Sequence, residues 1–287
     1  MDEKMIYDVG MHTGEDTAYY LHRGFKVIAI EANPELCQQA HVRFTREINE
    51  GRLVVLNIAI AREEGSAEFW ICDGHTEWSS FHESAASRDG LPHHSIKVTC
   101  QPFDSILSKF GIPYYIKIDI ESSDIQCLES LRKVRDLPKY ISCELGDFST
   151  VVKILEELQF SGYKLISQYN FLPVELERCR RRINYDFWDR VATDRSFIAR
   201  AFRKSLRLLK GENMIYLLRD LSQRERGWRF RTGSSGAFGE STAGRWRSGE
   251  EVQGIYFRMQ DLRKRGMKSP FWKDKEYSFW VDLHARR

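Results

Sequence analysis

D-V-G-M-H-T-G at positions 8–14, followed by V-I-A-I-E-A-N at 27–33, decides the fold. The apolar run Met5–Val9 enters a glycine turn, and a helix fits the residues behind it. A second apolar run, Lys26–Ile30, ends on the carboxylate Glu31. That is the opening of a nucleotide-binding βαβ unit. Met11, His12 and Thr13 separate Gly10 from Gly14. The pattern G-x-G-x-x-G needs a third glycine to seat a pyrophosphate on the helix N-terminus, and it is missing here. Asp8 at the strand end would repel a pyrophosphate and suits a cation. These features weigh against a nicotinamide dinucleotide. They suit S-adenosylmethionine, which carries a sulfonium, an ammonium and an adenosine, and no phosphate.

Outward from this motif the first half alternates strands and helices. Strands are expected at Met5–Val9, Lys26–Ile30, Arg52–Ala59, Ala67–Cys72, Ser95–Gln101, Tyr115–Asp119, Tyr140–Leu145 and Tyr163–Gln168. Helices fit Glu15–Arg23, Pro34–Asn49, Phe103–Phe110, Ser123–Val134 and Ser149–Leu158. Asn33 is a good cap, with Pro34 at the first helical position. The alternation predicts an α/β fold, Rossmann-like and doubly wound, with a mostly parallel seven-stranded sheet. Right-handed crossovers put the strand C-termini along one edge. Asp8, Glu31, Asp119 and Glu144 stand at such ends. The expected domains are residues 1–172 for the cofactor, a largely helical insertion at 173–275 shaping the acceptor pocket, and a final strand within 276–287.

Composition narrows the partners. A net charge of +3 over 287 residues is too small to imply nucleic acid, and no DNA partner is expected. None of the six cysteines forms a C-x-x-C pair, so buried reduced thiols and a cytoplasmic location are expected. The first strand begins almost at residue 1, so no signal peptide is expected, and no apolar run reaches the ~20 residues of a membrane span. His75, His82, His93 and His94 cluster in a polar segment, but their spacing fits no compact metal motif. The segment Arg178–Arg231 carries a net charge of about +10. Within it Ser196–Leu209 reads as a basic amphipathic helix, able to pack on its own domain or to lie on an anionic membrane. Arg231–Trp246 is a glycine- and serine-rich loop read as closing over a polar substrate. Tyr277–Ala285 alternates like a strand that could add an edge to the sheet.

Methyl transfer from a sulfonium needs alignment of two substrates, exclusion of water and, for a hydroxyl acceptor, a base. The expected cofactor set is Asp8, Gly10, His12, Thr13, Gly14, Glu31, Ala32, Asn57, Ala59 and Asp119. Asp8 would reach the methionyl amine and Glu31 the ribose diol, while Asn57–Ile60 would line the adenine. Asp119, Glu121 and His82 are the candidate catalytic groups. Ser79, Ser80, Lys117, Ser235, Phe238, Trp246 and His284 are the candidate acceptor contacts, His284 being a further candidate base.

D-V-G-M-H-T-G, V-I-A-I-E-A-N-P, the run Ala59–Phe69, S-S-F at 79–81 and I-K-I-D-I-E-S-S-D at 116–124 together resemble the FkbM-type methyltransferases. The resemblance covers about Met5–Gln168. It implies S-adenosylmethionine as methyl donor and O-methylation of sugar or natural-product hydroxyls. Asp8, Gly10, Gly14 and Glu31 match the family's cofactor positions, and Asp119 and Glu121 match its K-I-D-x-E-G motif. Two departures stand out: Ser122 replaces the motif's glycine, and Met11-His12 replaces the usual Ala-Asn. The arginine-rich insertion extends the expected acceptor to an anionic saccharide, whether phosphorylated, nucleotide-linked or lipid-linked. The rival readings are an RNA methyltransferase using the basic insertion and a non-catalytic homologue that binds the cofactor. Against the first, the strand before Asp119 lacks the Asn/Asp-Pro-Pro-aromatic ending expected for methylating base amino groups.

Overall fold

Strand β1 (Asp2–Val9) feeds the 10–14 turn and α1 (Glu15–His22), and the alternation continues through β2 (Lys26–Glu31), α2 (Pro34–Arg43), α3 (Thr45–Asn49) and β3 (Leu53–Asn57). The computed structural model describes residues 1–120, 123–144, 146–168, 171, 173–174, 196–197, 201, 224–225, 227–231, 234–264 and 280–287. After β3 come β4 (Ala59–Ile60), β5 (Gly65–Cys72), α4 (Glu83–Ala86), β6 (His93–Gln101), α5 (Phe103–Phe110), β7 (Pro113–Ile118), α6 (Asp124–Ser130), β8 (Tyr140–Glu144), α7 (Phe148–Glu157) and β9 (Gly162–Ser167). The described remainder holds β10 (Arg224–Glu225), β11 (Trp228–Arg229), α8 (Gly249–Lys264) and β12 (Val281–Arg286).

Seven strands form one sheet in the order β3-β2-β1-β7-β8-β12-β9. The pairs β3–β2, β2–β1, β1–β7 and β7–β8 are parallel. This is the Rossmann-like α/β fold, its strand order reversing beside β1, where such folds bind ligands. β12 is the reversed strand. Ser161 N–H donates to Arg286 O at 2.9 Å and Gln168 N–H to Trp280 O at 3.1 Å, so it runs antiparallel to β9. It lies inside the sheet order, and β9 takes the edge that the sequence offered to the last strand. Met5–Val9 of β1 are all buried, which explains a run of apolar residues without alternation.

Three expected elements divide. The strand over 52–59 splits into β3, in the main sheet, and β4, which pairs with β6 in a separate three-stranded sheet of order β4-β6-β5. The strands expected at 67–72 and 95–101 belong to that small sheet. The helix over 34–49 breaks at Phe44, where φ is −111°. Phe44 is buried, and its ring would lie 2.7 Å from a Cβ placed on Gly14. A glycine in the turn thus makes room for the ring that interrupts the helix. The helix over 123–134 ends as a 3₁₀ turn at Leu131–Lys133. The start of α2 is as read: Asn33 Oδ1 accepts from Glu35 N–H at 2.9 Å, with Pro34 following.

The chain forms two compact units, Met1–Gly162 with His284–Arg287, and Tyr163–Leu283. In the second, the stretch read as a loop closing over a substrate is packed on β9. Lys164 Nζ donates to Thr242 O at 2.9 Å and contacts Thr242 Oγ1 at 3.0 Å. It also sits 4.1 Å above the Trp246 ring. Tyr163 and Arg247 exchange backbone hydrogen bonds of 2.8 and 2.9 Å. A buried ammonium so held ties the loop to the strand at two points. The amphipathic helix expected over 196–209 lies outside the described residues except Ser196, Phe197 and Ala201.

Candidate active site

The parallel register sets the site. Asp8 stands opposite Lys117 across β1–β7, and Glu31 opposite Asn57 across β2–β3. The glycine turn follows Asp8. Gly10 and Met11 N–H groups both donate to Ile30 O at 3.0 Å, so the turn closes on the end of β2. Gly10 has φ +83°, and an added Cβ would meet Asp119 O at 1.8 Å. Only glycine lets β1 and the end of β7 come this close. Gly14, at φ +80°, opens α1.

Glu31 is fixed at the end of β2. Its Oε2 accepts from His12 N–H and its Oε1 from Asn33 N–H, both at 2.8 Å. The side chain stays half-buried, and each carboxylate oxygen retains a lone pair beyond its backbone partner. Burial pushes this carboxyl above the usual range, outweighing the two N–H groups that favour its charged form. Asn57 works one step back. Its Nδ2 donates to Glu31 O and Ala32 O, both at 3.0 Å, so it shapes the turn that carries Glu31. Burial raises the Cys37 thiol to about 12, leaving it an inert neighbour that donates to Glu31 O.

Two sequence expectations change at Asp8 and Lys117. Asp8 is fully buried and accepts from Thr17 Oγ1 at 2.6 Å, so it braces the turn from beneath instead of reaching a ligand amine. Lys117, read as an acceptor contact, is buried under the same turn. Its Nζ donates to Gly10 O at 2.8 Å and lies 3.4 Å from Asp8, 3.3 Å from Asp119 and 3.9 Å from Asp16. One ammonium therefore holds the turn against three carboxylates. Burial raises the Asp8 carboxyl, against the pull of Lys117 and Thr17. Asp119 is half-buried at the end of β7, and its N–H donates to Val9 O at 2.9 Å. Glu121 and Ser122 lie outside the described residues.

The other expected residues divide between turn and scaffold. Thr13 is exposed and its carbonyl accepts from Arg43 at 2.7 Å. Ala59 is buried in the small sheet's core, with Ala32 packed against it. Ser80 is buried and bridges to Trp70, while Ser79 Oγ accepts from Cys72 N–H at 3.3 Å, so both hold the segment after β5 to that strand. His82 is exposed at the start of α4. Ser235 and Phe238 are buried in the second unit, where Trp246 Nε1 donates to Glu240 at 3.0 Å. His284 is buried within β12. Reading the sequence missed Asp16, Thr17 and Thr76. The first two were in view as the opening of α1, but only the register shows that they turn under Asp8 and Lys117. Thr76 meets His12 from 64 residues away and has no local signal.

His12 has φ +50°, a left-handed backbone that costs a non-glycine residue energy. Burial lowers its imidazole below the ordinary histidine value, outweighing the raising influence of Glu77 and Asp119. The unfolded chain therefore binds this proton more readily than the folded one. Stability from a neutral His12 is complete above about pH 6.5 and is lost as pH falls below it. Thermal melts at pH 7.5 and 5.5 should show a lower midpoint at the acid end, and His12→Asn should narrow the difference. An equal difference in the variant would contradict this origin.

The glycine turn, the backbone-anchored Glu31 after β2 and Asp119 after β7 thus meet at the carboxyl ends of the parallel strands. The sequence model of the methyltransferase FkbM domain matches residues 8–165, more than half of the chain. The chain belongs to this family and is a methyltransferase, and its family implies use of S-adenosylmethionine. No curated protein matches it. Among solved structures it is similar to precorrin-6y C5,15-methyltransferase from Geobacter metallireducens GS-15, at 10% identity and TM-score 0.34, over 58% of this chain and 68% of that one. It is similar to a SAM-dependent O-methyltransferase from Thermotoga maritima at 11% identity and TM-score 0.29, over 57% and 47%. A protein described as a methyltransferase from an antibiotic biosynthesis pathway of Anabaena variabilis ATCC 29413 matches at 10% identity and TM-score 0.33, over 100% and 92%. Among the described residues no helix is long and apolar enough to cross a membrane, and no group of acids, histidines and cysteines could hold a metal.

Proposed function

We propose that this methyltransferase uses S-adenosylmethionine to methylate a hydroxyl of a saccharide or related natural product. The observation that carries the cofactor half is the Glu31 carboxylate, anchored by two backbone N–H groups beside the glycine turn and still half-exposed. A carboxylate so placed can accept both hydroxyls of a ribose. S-adenosylmethionine, when bound, supplies an activated methyl on a sulfonium. The protein's share is to orient the acceptor, exclude water and take the hydroxyl proton, for which Asp119, Glu121 and His82 are the proposed groups. The basic insertion supports an anionic acceptor: a phosphorylated, nucleotide-linked or lipid-linked sugar. Buried Cys37, Cys72, Cys100, Cys127 and Cys143, in no disulfide among the described residues, support a cytoplasmic setting.

Incubation with methyl-labelled S-adenosylmethionine and a panel of plain, phosphorylated and nucleotide-linked sugars tests the acceptor class. Label is expected as a base-stable ether. Asp119→Asn or Glu121→Gln should cut turnover about 10²- to 10⁴-fold, the range for losing a general base, with cofactor binding largely kept. Normal turnover in both variants would move the base to His82 or His284. Label entering RNA and none of the sugars would overturn the acceptor assignment.

A further inference from the structure

His12 does more than continue the glycine turn. Its N–H is given to Glu31 Oε2 at 2.8 Å, which ties its backbone to the carboxylate proposed to hold the ribose. Its ring points the other way, with Nε2 at 2.8 Å from Thr76 Oγ1. Thr76 opens the 3₁₀ turn Thr76–Trp78 in the segment that follows β5. That segment is tied at its far end, where Trp70 and Ser80 exchange backbone hydrogen bonds of 2.8 and 2.9 Å. It then leads directly to exposed His82. The left-handed backbone of His12, at φ +50°, makes this two-sided reach possible, because it turns N–H and ring toward different neighbours.

We propose that His12 is a positioning residue that couples cofactor occupancy to the segment Thr76–His82. The inference rests on Glu31 being the cofactor carboxylate. A ligand that engages Glu31 steadies its bond to the His12 N–H, which steadies the ring and, through Thr76, the segment carrying Ser79, Ser80 and His82. Binding of the methyl donor thereby adds order to the acceptor side. A chain with the family's usual asparagine at this position has a shorter side chain and would lack the link.

The test uses the whole protein and S-adenosylhomocysteine, with hydrogen–deuterium exchange followed in peptides covering 76–82. Thr76→Val removes the far partner without touching the turn. His12→Asn shortens the ring side while keeping a residue that tolerates the left-handed backbone. In the wild type, bound S-adenosylhomocysteine should slow exchange over 76–82 about fivefold, the worth of one ordered hydrogen bond. In Thr76→Val the ligand should still bind and slow the glycine-turn peptides, with the effect on 76–82 lost; in His12→Asn, at ligand concentrations that saturate the variant, the effect on 76–82 should be lost as well. Exchange over 65–72 and 93–101 should match the wild type, showing that the small sheet is intact. Protection of 76–82 that persists in either variant overturns the coupling. So does a wild type that binds the ligand without protecting the segment, and that result leaves the cofactor reading standing. Failure of the wild type to bind S-adenosylhomocysteine at all overturns both.

Discussion

Gly10→Ala should abolish cofactor binding and destabilise the fold by at least about 3 kcal/mol, the scale of a strained backbone combined with a core clash. Two costs add at this position. The left-handed φ of +83° penalises any Cβ, by about 1–2 kcal/mol. The new methyl would also stand 1.8 Å from Asp119 O and 2.8 Å from Asp119 C, which are backbone atoms that no rotamer change can move. Relief requires the end of β7 to part from β1, breaking the bond from Asp119 N–H to Val9 O and carrying Asp119 away from the turn. Gly24 supplies the control. It has φ +82° but nothing within 4 Å of its Cβ position, so Gly24→Ala should show the backbone cost alone. Equal denaturant midpoints for the two variants would contradict the close approach.

Lys117→Met should cost about 3–5 kcal/mol, as expected when one partner of a buried ion pair is removed and its charges are left behind. Asp8 and Asp16 are buried beside the ammonium, and Asp119 shares it. The loss should depend on pH in a definite sense. Burial already raises Asp8, and without Lys117 it rises further. The folded variant then binds protons more tightly than the unfolded chain, so its stability falls as pH climbs above the ordinary aspartate value of about 3.9. The deficit should be larger at pH 8 than at pH 5 in urea melts. Lys117→Met with Asp8→Asn should recover part of it, because one orphaned charge is gone. A deficit independent of pH and unrelieved by the second change would mean that Lys117 acts by packing alone.

How much of this was legible in the sequence follows from which interactions are local. The turn, its glycines and Glu31 lie within one βαβ unit, so spacing alone placed them. The cap at Asn33 and the helix Phe103–Phe110 were equally local. What register decides was hidden. Asp8 and Lys117 are 109 positions apart, and only the pairing of β1 with β7 sets them side by side and turns an apparent substrate lysine into an internal brace. The same holds for Asn57, whose amide the β2–β3 pairing sets on the Glu31 turn. The helix break at Phe44 was invisible because its cause, the space left by Gly14, lies thirty residues away. The strand over 52–59 read as continuous because β3 and β4 are separated by one residue, Ile58, while belonging to different sheets. Unpaired apolar runs say that a strand is buried, not which sheet buries it.

In the proposed function Glu31 receives the ribose of S-adenosylmethionine on a preformed turn. Titration calorimetry of S-adenosylmethionine into the wild type and Glu31→Ala tests it most directly, since it needs no knowledge of the acceptor. The wild type should bind, and the variant should bind about ten- to a hundredfold more weakly while keeping its fold. That drop is the roughly 1.5–3 kcal/mol of hydrogen bonding to a charged group. Equal affinity in the two proteins, or no binding to the wild type, would contradict the account.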